Sequence, residues 1–344
     1  MPPACEDVCS LRIDPTKANM ADLRHPPAPG KYNVCFSAND AYRQHLTVAC
    51  LSLLLNNPVP WDIYLVTTDF RPESERRLRR MVEGRGGRLH RIPMDDTKFR
   101  DLPIEYSRFD VHTYFRLYLD RLLPDTVENL LYLDSDLVVD GSLTDLFDRP
   151  ARAPLEAVRD YGMDVERLAL RGNNRYFNAG MLYIPLSHWR REGYHRRLLS
   201  HVPPTYEYAD QEILNDFFKG QWHELPWRYN TFHFFLYRFP APAVIHYAGD
   251  HKPWRYLTLS GIAYWKYLLR SPYWLRGWTV LNTIRPGIGL FLYYKKQKVY
   301  FNRLLAFLRI RKFELPEADG MPAEWMEGKE VVLHPQKDIR PPAR

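Results

Sequence analysis

The chain has 344 residues, of which 45% are hydrophobic and 26% charged, enough for one large α/β domain or two modest ones. This composition excludes a wholly disordered chain, and no uncharged apolar run reaches the roughly 18 residues that predict a membrane-spanning helix. The net charge of +7 comes from one segment, because residues 255–313 hold twelve Lys or Arg and no Asp or Glu. The four cysteines show no metal-type spacing, so we expect free thiols in a reducing compartment.

The first thirty residues contain several prolines and no periodicity, so we expect residues 1–30 to form a disordered leader. From residue 31 onward, short apolar runs typical of buried strands alternate with longer stretches of helical spacing. This alternation predicts a Rossmann-like, mostly parallel sheet with helices on both faces. The predicted strands are "KYNVCFSAND", "WDIYLVTTD", "RLHRIPMD" and "NLLYLDSD", and the predicted helices are "DAYRQHLTVACLSLLLNN", "ESERRLRRMVEG" and the segment 113–123.

Four further blocks follow the fourth strand. They are "PLEAVRDYG", a strand that leads to Asp160, "RYFNAGMLYIPLSHWRR", a strand and then a helix, "YEYADQEILNDFFKG", a helix, and the closing block "HYAGDHKPW". We therefore expect a single α/β domain over residues 31–254. In such sheets ligands bind at the carboxyl ends of the strands, so "SAND", "TTD" and "DSD" are expected along one rim. The first strand-to-helix turn lacks G-x-G-x-x-G, so any phosphate bound here needs another source of positive charge.

The stretch "LLYLDSDLVVDG" places Asp134 and Asp136 next to a buried strand, and three interpretations compete. The first is a strand end whose carboxylates cap the next turn. The second is a phosphatase site that resembles the haloacid dehalogenase superfamily, with Asp134 as nucleophile and Asp136 as acid/base. It requires a later G-D-x-x-x-D motif, and after Gly249 that pattern ends on Trp254 instead of an Asp. The third is a clamp for Mn²⁺ or Mg²⁺, cations that prefer oxygen ligands and bind diphosphates.

Five ordered blocks carry a resemblance to a known family. "YFRLYL", "YLDSDLVVDGSLTDLF", "YFNAGMLYIP", "ADQEILND" and "HYAGDHKPW" together resemble glycosyltransferase family 8, the retaining group that includes glycogenin and bacterial lipopolysaccharide hexosyltransferases. The resemblance runs from about residue 32 to residue 254. It implies a GT-A-type fold and a UDP-sugar donor, either UDP-galactose or UDP-glucose.

The resemblance also implies a role for each matching residue. Asp134, Asp136 and His246 would bind Mn²⁺, while Gly249 and Lys252 would contact the diphosphate. The remaining residues that it places at the donor are Ser37, Asn39, Tyr42, Arg116, Ser135, Asp160, Asn178, Asp210 and Gln211. Among them, Asn39 stands where relatives often have an Asp for the uracil N3–H, and Tyr42 is placed to stack on the base.

Asp210 and Gln211 bear on the mechanism that the resemblance implies. Asp210 would bind hydroxyls of the donor sugar through hydrogen bonds, and the side chain of Gln211 would lie near the β face of the anomeric carbon. Gln211 is an amide and therefore a poor nucleophile. We accordingly expect a front-face substitution, in which the departing diphosphate accepts the proton of the acceptor hydroxyl.

Residues 255–313 interleave Trp, Tyr and Phe with Lys and Arg, and residues 304–310 fit an amphipathic helix. No nucleic-acid-binding motif accompanies this segment, so we expect no nucleic-acid partner. Basic amphipathic helices lie in the headgroup region of anionic membranes. We therefore expect a helical extension that attaches the protein to the inner face of a bacterial cytoplasmic membrane, followed by an acidic, proline-containing tail at residues 314–344.

Together these features predict a Mn²⁺-dependent, retaining hexosyltransferase that acts on a saccharide or glycolipid acceptor, such as lipopolysaccharide or another surface glycan. The alternatives are a phosphatase that uses Asp134 and Asp136, and a non-catalytic protein that binds membranes or saccharides. A phosphatase would release inorganic phosphate, whereas a binding protein would show no metal-dependent UDP binding.

Overall fold

The structure is a computed structural model that describes residues 31–94, 111–161, 175–200, 209–236, 241–249, 251–255 and 258–275. The predicted leader and the acidic tail lie outside the described residues, as does the part of the basic segment beyond residue 275. The boundaries predicted for these segments stay predictions.

Ten strands and seven α-helices form the described part of the chain. The strands are β1 Tyr32–Ser37, β2 Trp61–Thr67, β3 Arg88–Pro93, β4 Asn129–Leu133, β5 Leu137–Val139, β6 Leu155–Arg159, β7 Phe177–Pro185, β8 Trp222–Glu224, β9 Thr231–Phe232 and β10 Val244–His246. The helices are α1 Arg43–Asn56, α2 Pro72–Glu83, α3 Leu119–Leu122, α4 Leu186–Glu192, α5 Tyr194–Ser200, α6 Ala209–Phe217 and α7 Ile262–Leu268. All of the predicted strands are present where the structure describes them.

Seven strands form the central sheet in the order β3-β2-β1-β4-β7-β6-β8. Strands β3, β2, β1 and β4 are parallel, whereas β7 runs antiparallel to both β4 and β6. Strands β1, β2 and β3 lie side by side in chain order. The chain then returns to β1, and β4 pairs with its other edge. The strand order therefore reverses between β1 and β4, and ligands bind at such a switch point. The α/β, mostly parallel prediction is confirmed.

A second sheet of three strands, β5-β10-β9, had no counterpart in the predictions. Strand β10 pairs antiparallel with β5 and parallel with β9. Because β5 begins directly after the β4 loop, this small sheet joins the end of the domain to the switch point.

Helix α1 lies between the two sheets, which explains why it is apolar on nearly every face. Leu46 and Leu51 pack on the central sheet with Phe36, while Val48 packs with Val138 of the small sheet. Helix α2, in contrast, is amphipathic and covers the outer end of the same layer. Pro72 starts it, and acidic residues in its first turn complement the helix dipole.

The segment predicted as a helix over 113–123 is a 3₁₀ helix, Val111–Tyr118, followed by the single turn of α3. In a 3₁₀ helix, residues three apart lie on the same side. Arg116 accordingly donates from Nε to the carbonyl of Thr113 at 3.0 Å. The tighter turn places the guanidinium of Arg116 under the carboxyl end of β4, where the site forms.

Helix α7 belongs to the segment predicted to extend from the domain, yet its aromatic face is part of the core. Tyr264, Trp265 and Tyr267 are buried against Tyr247 and Ile245. The exposed apolar side chains of this region lie elsewhere, at Ile262, Leu269, Trp274 and Leu275. Within the described residues, no helix is long and apolar enough to cross a membrane.

Candidate active site

The "DSD" loop that follows β4 is held at both ends by backbone hydrogen bonds. The N–H of Asp134 donates to the carbonyl of Gly180 at 2.8 Å, and the carbonyl of Asp136 accepts from the N–H of Tyr247 at 3.0 Å. Between them, the hydroxyl of Ser135 donates to the carbonyl of Ser37 at 3.1 Å. The loop therefore lies at the switch point between β1 and β4, as predicted.

His246 reaches this loop through the register of the small sheet. It pairs with Leu137, the residue after Asp136, so the two side chains become neighbours despite their separation along the chain. Nε2 of His246 lies 3.3 Å from Oδ1 of Asp136 and 4.0 Å from Oδ2 of Asp134. One ligand atom from each of the three residues lies within 4.8 Å of the others, a spacing that a single metal ion can bridge.

Arg116 is buried beneath the loop and joins two of the predicted carboxylates. Its Nη2 lies 2.9 Å from Oδ1 of Asp134, and its Nε lies 2.9 Å from Oδ2 of Asp210. The guanidinium also stacks over the ring of Tyr132 at 4.5 Å. Burial opposes the charge, but Asp134 and Asp210 outweigh it and raise the pKa of Arg116, so this residue stays cationic.

Lys252 lies on the other side of the carboxylate pair. Its ammonium donates to the carboxylate of Asp136 and, at 2.7 Å, to the carbonyl of Tyr247. Burial acts in the opposite direction, yet Lys252 and His246 together hold the pKa of Asp136 well below its usual range. Nearby Gly249 has φ = +77°, a left-handed conformation that favours glycine.

Asp160, Asn178 and Gln211 form one hydrogen-bonded network below the cluster. Oε1 of Gln211 accepts from the N–H of Ala179 at 2.9 Å and from Nδ2 of Asn178 at 3.0 Å. Nδ2 of Asn178 and Nε2 of Gln211 both donate to Oδ2 of Asp160, at 3.3 and 3.2 Å. Both amides are thus fixed by protein partners, and the predicted sugar-binding residues lie together.

Asp210 is the second residue of α6, the helix that also carries Gln211, and it is buried. Burial raises the pKa of Asp210 to about 6, Arg116 opposes this rise, and Asp134 adds to it. The carboxyl therefore changes charge closer to neutral pH than an ordinary aspartate does.

The residues predicted to bind the nucleotide base, Asn39 and Tyr42, lie just before the start of α1. Oδ1 of Asn39 accepts from the N–H of Tyr42 at 3.2 Å, so the proposed uracil acceptor already caps a turn. Burial and then the charge of Asp136 raise the pKa of Tyr42, whose half-open ring lies near the cluster. Ser37 is less available, because its hydroxyl donates to the carbonyl of His112 at 2.8 Å.

Sequence reasoning missed several residues that shape this site. His45 stacks on Trp254 with ring centroids 3.6 Å apart beside Tyr42, which builds an aromatic wall at the nucleotide end. Gly180 provides room for His246, because a Cβ there would lie 2.2 Å from Cε1 of the imidazole. Asn230 contacts the other nitrogen of the His246 ring. No local pattern marks these residues; only the packing of β7, β9 and β10 brings Gly180 and Asn230 to His246.

Comparison with known proteins agrees with this fold. A curated relative, the lipopolysaccharide 1,2-glucosyltransferase of Escherichia coli (strain K12), is 26% identical over 294 residues, which cover 77% of this chain and 85% of that protein. Glycosyltransferase GlyE of Streptococcus pneumoniae serotype 4 is 30% identical over 260 residues, which cover 70% of this chain and 61% of that protein. The structure of galactosyltransferase LgtC in complex with donor and acceptor sugar analogs matches with a TM-score of 0.59 and 26% identity, over 70% of this chain and 96% of LgtC.

The fold and its relatives define a glycosyltransferase with the GT-A fold. The family model described as glycosyl transferase family 8 matches residues 33–258, which is well over half of the chain. The chain belongs to glycosyltransferase family 8. This membership replaces the phosphatase interpretation of the chain.

Proposed function

We propose that the protein transfers a hexose, galactose or glucose, from a UDP-sugar to a saccharide acceptor with retention of configuration. The observation that carries the proposal is the convergence of Asp134, Asp136 and His246 at the switch point of the sheet, with Lys252 beside them. The printed activities of two relatives, a lipopolysaccharide glucosyltransferase and a galactosyltransferase, support a hexose donor and an acceptor in a surface glycan.

The donor set fits Mn²⁺, with Mg²⁺ as the less suited alternative. Two carboxylates and one imidazole combine the oxygen ligands of hard cations with a nitrogen that Mg²⁺ rarely takes. Three protein ligands leave positions open for phosphate oxygens. When bound, such an ion would act as a Lewis acid that offsets the negative charge of the departing diphosphate.

Lys252 and Gly249 would position the diphosphate from the protein side. The ammonium of Lys252 is already held over the carboxylate pair. The left-handed turn at Gly249 leaves its backbone accessible, because within the described residues no heavy atom beyond Gly249 and its two chain neighbours lies within 4 Å of the position that a Cβ would take. Ammonium groups form charge-assisted hydrogen bonds with phosphate oxygens. Both groups would therefore stabilise the leaving diphosphate.

The environment of Gln211 supports a front-face mechanism. Its amide oxygen accepts two N–H groups, so both of its lone pairs are engaged, and its nitrogen donates to Asp160. An amide held in this way is a poor nucleophile. The incoming hydroxyl would then attack on the face that the diphosphate leaves, with a diphosphate oxygen taking its proton.

The test is a panel of UDP-sugars with Mn²⁺, in which UDP release is measured with and without saccharide acceptors. We expect release with UDP-galactose or UDP-glucose, and loss of at least about 100-fold in Asp136→Asn, because one ligand of the ion is removed. Asp148→Asn is the matched control, since this exposed carboxylate pairs with Lys31 away from the cluster. Activity that is equal in Asp136→Asn and the control would contradict the proposal, and a binding protein without activity would release no UDP.

We also propose that the protein attaches to an anionic membrane surface at the cytoplasmic face of the bacterial inner membrane. Trp274 and Leu275, at the end of the described region, are 51% and 63% exposed. Pro272, next to them, lines a surface cavity with Glu73 and the arginines of α2 at positions 76, 77 and 80. The sequence that follows, residues 276–313, is also basic. The α2 arginines and residues 276–313 carry the same charge and therefore repel each other, but both suit anionic headgroups.

Vesicle flotation of the full chain tests this attachment. We expect binding to anionic vesicles but not to neutral ones, and weaker binding of the triple variant Arg76→Gln/Arg80→Gln/Trp274→Ser. The control is Arg121→Gln/Arg196→Gln, which removes two exposed charges from another part of the surface. Equal flotation of the two variants would show that the α2 face takes no part.

A further inference from the structure

His246 offers only one of its two ring nitrogens to the carboxylate pair. Nε2 faces Asp134 and Asp136, while Nδ1 lies 2.9 Å from Oδ1 of Asn230. Asn230 precedes β9 and is only 3% exposed. A neutral imidazole carries one proton, and the nitrogen that holds this proton cannot bind a metal ion. The partner of Nδ1 therefore decides whether Nε2 is a ligand.

The orientation of each amide follows from nearby backbone N–H groups, because these groups can only donate a hydrogen bond. The N–H of Gly180 can only donate, and it lies 3.0 Å from the Asn178 atom assigned as Oδ1, so this atom is the oxygen. The opposite end of the same amide lies 3.0 Å from Oε1 of Gln211, which itself accepts from the N–H of Ala179. Two independent backbone donors thus give the same orientation for Asn178.

The orientation of Asn230 follows from that of Asn178. The Asn230 atom that lies 2.9 Å from Oδ1 of Asn178 has to be the donor, Nδ2, because two oxygens would repel each other. The other end of the Asn230 amide is then an oxygen and faces Nδ1 of His246. An amide oxygen at this distance accepts a hydrogen bond, so Nδ1 carries the hydrogen and Nε2 presents its lone pair to the cluster.

Packing fixes the plane of the ring in addition. The imidazole lies directly on Gly180, where a Cβ would come within 2.2 Å of Cε1, and the ring of Phe232 packs edge-on at 5.7 Å. The ring of His246 therefore has no room to flip, and each ring nitrogen keeps its own partner. Without an acceptor at Nδ1, the neutral ring would place its proton on Nε2, toward the carboxylate oxygen of Asp136 at 3.3 Å.

We infer that Asn230 is a positioning residue of the metal site: through the chain Gly180–Asn178–Asn230 it holds His246 as the Nδ1–H tautomer, with Nε2 free to bind a divalent cation. The inference rests on the proposed metal site, but the tautomer itself is a property of the protein without metal. Outer hydrogen bonds of this type fix the orientation of ligating histidines, and their loss lowers metal affinity by about 10–100-fold.

The first measurement needs no variant. Full-length protein with ¹⁵N-labelled histidine is studied by long-range ¹H–¹⁵N correlation without metal, at increasing pH until the ¹⁵N shifts of the ring stop changing, so that the neutral imidazole is observed. The signal of His246 is assigned by its loss in His246→Gln. We expect the Nδ1–H pattern. An Nε2–H pattern in the wild type would overturn the inference, whether or not the protein transfers sugar.

The second measurement compares variants. In Asn230→Leu, which keeps the volume but removes the acceptor, we expect the Nε2–H pattern and a 10–100-fold loss of Mn²⁺ affinity, measured from the EPR signal of free Mn²⁺ without nucleotide. Asn57→Leu is the control, because Asn57 is equally buried and hydrogen-bonded to Gly141 and Leu143 outside the site. Asn230→Asp loses the donor to Oδ1 of Asn178 but keeps an acceptor for Nδ1, so it should keep the Nδ1–H pattern, and it serves if Asn230→Leu does not fold. An unchanged tautomer in Asn230→Leu, a shifted one in Asn230→Asp, or an equal loss of affinity in Asn57→Leu would overturn the inference.

Discussion

The guanidinium of Arg116 lies between two carboxylates that come from different elements, the loop after β4 and the first turn of α6. Its nitrogens lie 2.9 Å from Asp134 and 2.9 Å from Asp210, and its plane stacks on Tyr132. A planar cation with several donors can serve both partners at once, which a lysine ammonium on a flexible chain cannot do. Arg116 therefore supports the site through shape as well as charge.

Replacement of Arg116 by methionine should lower the free energy of unfolding by about 3–5 kcal/mol, because Asp210 and part of Asp134 are left as buried charges without a partner. Arg116→Lys should lose less stability but still most of the activity. Urea unfolding and UDP release measure the two effects. Arg121→Met, an exposed arginine five residues later, is the control, and a similar loss of stability there would contradict this account.

Gly180 gives a second prediction at the scale of one residue. A Cβ at this position would overlap the imidazole of His246, so Gly180→Ala should displace the ring and lower Mn²⁺ affinity. Gly220→Ala is the control: its φ of +73° makes alanine cost about 1 kcal/mol, but its Cβ has open space. Calorimetric titration with Mn²⁺ should therefore separate the two variants, even where their melting temperatures fall alike.

At the scale of elements, the small sheet assembles the site. Strand β5 follows the "DSD" loop without a break, and its antiparallel partner β10 ends on His246, so pairing alone brings the imidazole to the carboxylates. A slip of one residue in this register would turn His246 to the opposite face. Directly after β9 of the same sheet comes His233, which packs on Tyr247 with ring centroids 5.5 Å apart.

His233 makes stability depend on pH. Burial, and then the charge of Lys252, lowers the pKa of His233 from 6.5 to about 4 in the folded protein. The unfolded chain therefore binds more protons between these values, and stability rises with pH across this window. At pH 5 the wild type should lose about 2 kcal/mol relative to pH 7.5 through this residue.

The measurement is urea unfolding of the wild type and His233→Gln at both pH values. Asp210 acts in the opposite direction, because its raised pKa favours the folded state at low pH. Only the difference between the two proteins isolates His233, and this difference should change by about 2 kcal/mol between the two pH values. A difference that is independent of pH would contradict the assignment.

The sequence was informative wherever a feature is local, and less so where it depends on long-range pairing. An apolar run that ends in "DSD" shows both a buried strand and the carboxylates at its end, whereas the uniformly buried β7 contains nothing that reveals its antiparallel direction. The 3₁₀ conformation around Arg116 has no sequence signal, because its apolar spacing also fits an α-helix. Asn230 is likewise an isolated polar residue whose importance depends on β9 and β10.

At the scale of the whole molecule, metal binding and folding should be coupled. The cluster draws on β4, β5 and β10, so an ion bound there binds the folded protein and not the unfolded chain. At a Mn²⁺ concentration 100 times its dissociation constant, the free energy of unfolding should rise by about 2.7 kcal/mol. Urea unfolding with Mn²⁺ or EDTA tests this. Asp134→Asn/Asp136→Asn should show no Mn²⁺ effect, and an equal effect in this variant would place the ion elsewhere.

The ion pair between Lys252 and Asp136 joins residues that are 116 positions apart. In polymer terms, this contact closes a very long loop, and the entropy of closing that loop is lost when the chain folds. During synthesis, the two aspartates leave the ribosome long before His246 and Lys252 do. The nascent chain therefore lacks part of the proposed cation site until both of these residues have emerged, and the finished cluster joins early and late parts of the domain.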